Sequence, residues 1–118
     1  MLIAPGRDGE LGILPLHSPL VTTLKTGEVR LRYNNGEWDS VAITGGYLEV
    51  NEDKVIVLAD DAELSSKIDT EKLSLEKKEI EEKIASLDEQ DDEFLEETIK
   101  LEHITNKLRI AEKAKGKP

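Results

Sequence analysis

The chain has 118 residues, 26 acidic against 16 basic side chains, a formal net charge of −10 and no cysteine. That length allows one compact domain, or one small domain with an appendage, and the charge disfavours a nucleic-acid backbone as ligand. Without thiols, disulfides, thiol nucleophiles and thiolate metal sites are excluded, and with no apolar run near ~20 residues and no signal-peptide pattern a soluble, intracellular protein is expected.

Between Pro5 and Pro19 the chain uses three glycines and three prolines, with Leu11, Ile13, Leu14 and Leu16 among them. So many special backbone angles around hydrophobic anchors predict a loop with a fixed shape, a contact surface carrying His17. Gly27-Glu-Val-Arg-Leu-Arg-Tyr33 then alternates, with Val29, Leu31 and Tyr33 on one face, the period of a half-buried strand. Asn34-Asn35-Gly36 is a hairpin signal, and Trp38 to Ile43 returns as the next strand with Val41 and Ile43 inward. Gly45-Gly46 is expected to break that strand before Tyr47-Leu-Glu-Val50 resumes. A turn at residues 51–54 leads into the apolar run Val55 to Ala59. Short strands punctuated by turns predict an antiparallel β-sandwich or small barrel.

Near Asp60-Asp61 the composition changes. Residues 1–59 hold 8 acidic and 5 basic side chains, whereas residues 60–118 hold 18 and 11. The first half can bury a core and the second only a stripe, so two domains are expected, 1–60 and 61–118. In the second, Leu73, Ile80, Ile84 and Leu87 share a helical face, with Lys77 completing the row. Leu101, Ile104, Leu108 and Ala111 form another stripe, preceded by Phe94 and Leu95. The run Asp88-Glu-Gln-Asp-Asp-Glu93 between them suits the start of a helix, where the backbone dipole favours negative charge. An antiparallel helical hairpin follows, and the fold class is α+β. The tail from Lys113 is expected to fray.

Motifs for catalysis are absent. There is no phosphate-binding loop ending in Gly-Lys and no Gly-x-Gly-x-x-Gly opening a helix. Gly6, Gly9 and Gly12 read as turn residues before they read as a phosphate cradle. His17 can serve as a general base, but a histidine fixed between prolines on a contact surface is the simpler assignment. His103 flanks a packing seam. The carboxylates of residues 88–93 lack the spacing of a calcium loop and read as a helix cap, so no metal site is assigned.

The motifs go further than the composition. Gly9-Glu-Leu-Gly-Ile-Leu-Pro-Leu-His-Ser-Pro19 resembles the signature segment of the epsilon subunit of F-type ATP synthases. Leu24-Lys-Thr-Gly-Glu-Val-Arg30, Thr44-Gly-Gly-Tyr-Leu-Glu-Val50, Lys54-Val-Ile-Val-Leu-Ala-Asp60 and Asn106-Lys-Leu-Arg-Ile-Ala-Glu112 resemble further segments in the same order, so the likeness runs over nearly the whole chain. This resemblance implies a non-catalytic rotor subunit of the central stalk. Its sandwich would join the gamma subunit to the ring of c subunits, and its hairpin would regulate ATP hydrolysis by folding down or extending toward the alpha and beta subunits. It also implies a peripheral membrane location, on the cytoplasmic face of a bacterial inner membrane. By position, Asp8, Glu10, Leu11 and His17 match the ring-facing surface.

Three departures qualify the resemblance. The family carries two more strands before the residues matching Met1-Leu-Ile-Ala4, so exposed apolar edges are expected in the sandwich. Some members bind ATP through an Ile-Asp-x-x-Arg-Ala motif and arginines on the second helix. Here Ile68, Asp69 and Lys72 stand in that motif, with His103 and Lys107 at the arginine positions. Lysine does not reproduce the arginine fork on a phosphate, so no cofactor is implied and ATP is at most a regulatory ligand. The second helix also begins strongly acidic, which opposes docking on an acidic segment of the beta subunit, although Lys100, Lys107, Arg109 and Lys113 remain to serve. A rival reading takes the chain as a coiled-coil transcription-type factor that delivers a metal through its acidic tip, but it leaves the sandwich motifs unexplained. A small-molecule-binding sandwich would need a pocket between its sheets.

Overall fold

The structure, a computed structural model, describes residues 1–7, 9–13, 19–51 and 54–115. Six strands precede two helices: β1 (Leu2–Gly6), β2 (Gly9–Ile13), β3 (Leu20–Arg32), β4 (Trp38–Asn51), β5 (Lys54–Ala59), β6 (Ala62–Leu64), α1 (Thr70–Ser86) and α2 (Asp92–Lys115). The chain divides into two compact units, Met1–Ser65 and Ser66–Pro118.

The first unit is one antiparallel sheet in the order β2-β1-β3-β4-β5, with β6 also on β4. Its spine is the long β3–β4 ribbon, in register from Leu20 opposite Val50 to Arg32 opposite Trp38. The hairpin closes where Asn35 and Gly36 were expected to turn, with Gly36 N donating to Tyr33 O and Tyr33 N to Glu37 O. Tyr33 lies just beyond β3 and is exposed, so the inward alternation ends at Leu31. The Arg32 guanidinium lies 5.7 Å from the centroid of the Trp38 ring across the same end.

Gly45-Gly46 does not break β4, which runs on to Asn51. Both glycines adopt positive φ, and at Gly46 a Cβ would collide with the Leu58 carbonyl oxygen. The pair therefore bends a continuous strand and lets β5 lie close against it. Likewise, residues 9–13 are not loop but strand, paired from Gly6 opposite Gly9 to Leu2 opposite Ile13. Leu14 to Ser18, and with them His17, lie outside the described residues, as does Asp8.

Beyond the compositional change at Asp60-Asp61, β4 keeps a strand partner. β5 pairs with residues 46–51 of β4 and β6 with residues 41–43, so the chain turns a corner opposite the bend in β4. That corner is tied by Asp60 N donating to Gly45 O and Thr44 N donating to Asp61 O, each at 3.2 Å.

One core serves the sheet: Leu2, Ala4, Ile13, Leu24, Val29, Ile43, Leu48 and Val50, flanked by Leu11, Leu20, Leu31, Val41, Val57 and Ala59. Residues from both ends of the ribbon meet in it, so the bent sheet curls over on itself in the manner of a sandwich. The curl leaves an open apolar slot of about 540 Å³, lined among others by Val29, Leu31, Val41, Ile43, Val57 and Ala59. At its edge, Val55, Ile56 and Leu58 of β5 are exposed.

In the second unit, Asp69 caps α1 by accepting from Lys72 N through Oδ1 at 3.1 Å, and the helix closes with Leu87 N donating to Ile84 O. Leu73, Lys77, Ile80, Ile84 and Leu87 are all half-buried, the seam read from the sequence. Asp88 orders the connecting turn by accepting from Gln90 N, and Asp92 and Glu93 open α2. On α2 the stripe Leu101, Ile104, Leu108 and Ala111 is at least half-buried, and burial extends to Glu97, Asn106 and Ile110. No helix among the described residues is long and apolar enough to cross a membrane.

Candidate docking surface

The first candidate surface is the β1–β2 hairpin at one edge of the sheet. Pro5 sits in β1, between β2 and β3, yet has no N–H to give. Accordingly β1 pairs with β3 at Ile3 (opposite Arg30) and again at Gly6 (opposite Leu24), with a register shift between. Five residues of β3 (Lys25–Val29) pass two of β1 (Ala4 and Pro5) across that gap. Gly6 then admits Leu11 closely: a Cβ on Gly6 would lie 2.8 Å from Leu11 Cγ. Alternation along β2 turns Leu11 and Ile13 toward the core and Glu10 and Gly12 outward.

The expected ring-facing set is thus divided. Glu10 points to solvent, its side chain 67% exposed, whereas Leu11 is half-buried at the core margin. Nor does the Glu10 carboxylate stand alone, because Arg30 Nη2 donates to its Oε2 at 2.7 Å. Arg30 is on β3, twenty residues away in sequence, and its Nε lies 3.8 Å from Glu28 Oε1. Glu28 accepts from Ser40 Oγ on β4 at 2.8 Å. Sequence reading missed this cluster; the available signal was the outward alternation of Glu28 and Arg30 in β3.

On the far part of the sheet an outward apolar face carries Val21, Tyr47 and Leu58, with Ile56 beside them. Tyr47 pairs with Thr23 on one side and Leu58 on the other, and Val21 lies opposite Glu49. Val21 and Leu58 are 72% and 61% exposed. Exposed apolar groups gathered on one face, here with Glu49 between Val21 and Ile56, suit a protein contact surface.

The second unit carries a polar clasp that was also missed. Lys83 Nζ on α1 reaches Glu93 Oε1 at 2.8 Å and Glu97 Oε1 at 3.2 Å on α2, and Lys100 Nζ approaches Glu97 Oε1 at 3.3 Å. Glu97 is buried, and its place four residues before Leu101 continues the apolar stripe, which was the readable signal. Hydrogen bonding to Glu93 first, and then to Glu97, raises the Lys83 ammonium above the ordinary lysine value against the opposing effect of burial. The Lys83 hydrogen bond outweighs burial at Glu97 and holds its carboxyl below the ordinary glutamate value, with Lys100 adding to it.

Of the expected nucleotide set, Ile68 is buried, Asp69 is committed as the cap of α1, Lys72 is exposed and Lys107 is half-buried on α2. None of them lines the open groove of about 860 Å³ between α1 and α2. The charged groups that do line it are Glu71, Lys77, Lys78, Glu81, Arg109 and Glu112, three of each sign. A polyphosphate would meet as many carboxylates there as cations.

Residues 1–65 match the family model described as ATP synthase, Delta/Epsilon chain, beta-sandwich domain. An ATP synthase epsilon chain of Desulforamulus reducens is 41% identical over 111 residues, covering 94% of this chain and 83% of the relative. One from Trichodesmium erythraeum is 37% identical over 115 residues, covering 98% and 82%. Among solved structures, a chain in the cryo-EM structure of the Euglena gracilis mitochondrial ATP synthase (OSCP/F1/c-ring in rotational state 1) matches with TM-score 0.74 at 28% identity. The match covers 89% of this chain and 65% of that one.

Proposed function

We propose that this chain, which belongs to the ATP synthase delta/epsilon chain family, works as the epsilon subunit in the rotor stalk of a proton-translocating F-type ATP synthase. The observation that carries the reading is the family match across the whole first unit, with identity to epsilon chains continuing through the second. Its contribution to the reaction is mechanical and not catalytic: it transmits torque and regulates.

Two faces of the sheet suit two partners. Glu10, presented by a strand hairpin anchored on the core, meets polar or charged loops of the c ring; Asp8 and His17 are assigned to that contact by the family resemblance alone, and Leu11 braces the strand from the core side. A strand that is already ordered loses little freedom on docking, which favours a contact that must persist under rotation. The apolar face around Val21, Tyr47 and Leu58 suits the gamma subunit. The α1–α2 hairpin, joined by one seam and one ionic clasp, is the regulatory element that reaches toward the alpha and beta subunits when it rearranges. No nucleotide is assigned to Ile68, Asp69, Lys72 and Lys107, because the Asp69 carboxylate already caps α1. Through the complex the chain lies at the membrane surface, on the cytoplasmic side in a bacterium.

Copurification tests the reading directly. The tagged chain, expressed in cells lacking their own epsilon, should recover gamma and the c ring together. Recovery of neither would overturn it. Charge reversal at Glu10 (Glu10→Lys) should lower ATP-driven proton pumping while leaving gamma bound.

A further inference from the structure

We propose that Arg30 is an exchangeable guard on Glu10: a cationic side chain of the docking partner displaces Arg30 from the Glu10 carboxylate, and Arg30 then closes onto Glu28. The inference rests on the reading that Glu10 faces the ring.

Three observations carry it. Arg30 holds Glu10 through Nη2 alone, so the bidentate grip that a guanidinium can give a carboxylate is not made. Among the described residues its Nε is buried without a hydrogen-bond partner, 3.8 Å from Glu28 Oε1. Glu28 is the more protected carboxylate, its side chain 10% exposed and held by the hydroxyl of buried Ser40.

The exchange is balanced by these features. An ion pair as exposed as Glu10–Arg30 contributes so little that breaking it costs a partner about five-fold in affinity at most. A shift of about 1 Å brings Nε into hydrogen-bond range of Glu28 and satisfies a buried donor that is otherwise unmet. Charge sorts the partners as well. A cation gains Glu10 as Arg30 leaves, a neutral donor offers a weaker hydrogen bond without replacing the lost charge, and an anion is repelled by both carboxylates. The partner group is therefore a lysine or arginine of the ring's polar loop.

Binding of the 118-residue chain to a purified, detergent-solubilised c ring tests this, with circular dichroism and melting recorded for every variant. Glu10→Gln should weaken binding. Arg30→Met, by exposing Glu10 in advance, should tighten it about two-fold, the part of the five-fold ceiling that the Glu28 contact does not offset, a gain that loss of a merely structural residue does not produce. Glu28→Gln should weaken binding by a similar factor, although Glu28 is too enclosed to touch the ring, because Arg30 then has nowhere to go. Weaker or unchanged binding by folded Arg30→Met, with Glu10→Gln still impaired, overturns the exchange and leaves the docking surface standing. An unchanged Glu10→Gln overturns both. If Arg30→Met does not fold, the Glu28→Gln arm decides alone, and unaltered affinity there also overturns the exchange.

Discussion

Replacing Gly46 with alanine should separate β5 from the sheet, and the size of the effect follows from what the new methyl group meets. Gly46 has φ +143°, and a Cβ there would strike the Leu58 carbonyl oxygen and lie 2.8 Å from Ala59 Cα. These are backbone atoms, so no rotamer change relieves the overlap. Gly36 in the hairpin turn supplies the control: its φ is +87°, but a Cβ there meets nothing within 4 Å. Gly36→Ala should therefore show only the conformational cost, about 1–2 kcal/mol. Gly46→Ala should add an overpacking cost of about 1–3 kcal/mol, for a total near 2–5 kcal/mol. At about 4–8 °C per kcal/mol for a small domain, the melting temperature of the first unit should fall roughly 5–15 °C for the control and 10 °C or more for Gly46→Ala. Hydrogen exchange locates the damage: amides of Lys54–Ala59 should lose protection in Gly46→Ala, while those of β1 and β2 keep most of theirs. Equal melting shifts for the two variants, or loss of protection spread evenly over the sheet, would refute the argument that the glycine is there for close approach.

Two further outcomes concern the hairpin. Lys83→Met should lower the melting temperature of the helical unit and flatten its pH dependence on both sides. The lowered Glu97 contributes stability at pH values above the ordinary glutamate range, lost as pH falls through its depressed folded value. The raised Lys83 contributes below the ordinary lysine range, and that is lost as pH rises through its elevated folded value. Helical circular dichroism of both proteins across pH checks this, and parallel curves for wild type and Lys83→Met would count against the clasp. Asp69→Ala removes the α1 cap and should cost about 1 kcal/mol by thermal melting, while Asp69→Asn retains most of it. An Asp69→Ala protein as stable as wild type would mean that α1 is held by its seam alone.

What the sequence determined by itself was every feature written in local periodicity and turn chemistry. Val29 and Leu31 alternate inward because strand side chains repeat every two residues, and Asn35-Gly36 turns because positive φ is cheap there. The seams Leu73–Leu87 and Leu101–Ala111 follow the helical period, and Asp88 to Glu93 mark the helix start because exposed N–H groups attract carboxylates. Tertiary structure decided what depends on a distant neighbour. Gly45-Gly46 looked like a break because glycine usually interrupts strands, yet the near approach of β5 is what requires it. Residues 9–13 looked like part of a shaped loop because glycines and prolines crowd the segment from Pro5 to Pro19, yet pairing with β1 makes them strand. Glu10 was legible as an exposed acid, but not as an acid already held by Arg30 from another strand. Lys83 and Glu97 are unremarkable charges until the hairpin folds and buries one beside the other. Periodicity is carried by neighbours in the chain and survives in one dimension; ion pairs between strands and close backbone contacts exist only once the chain has brought remote residues together.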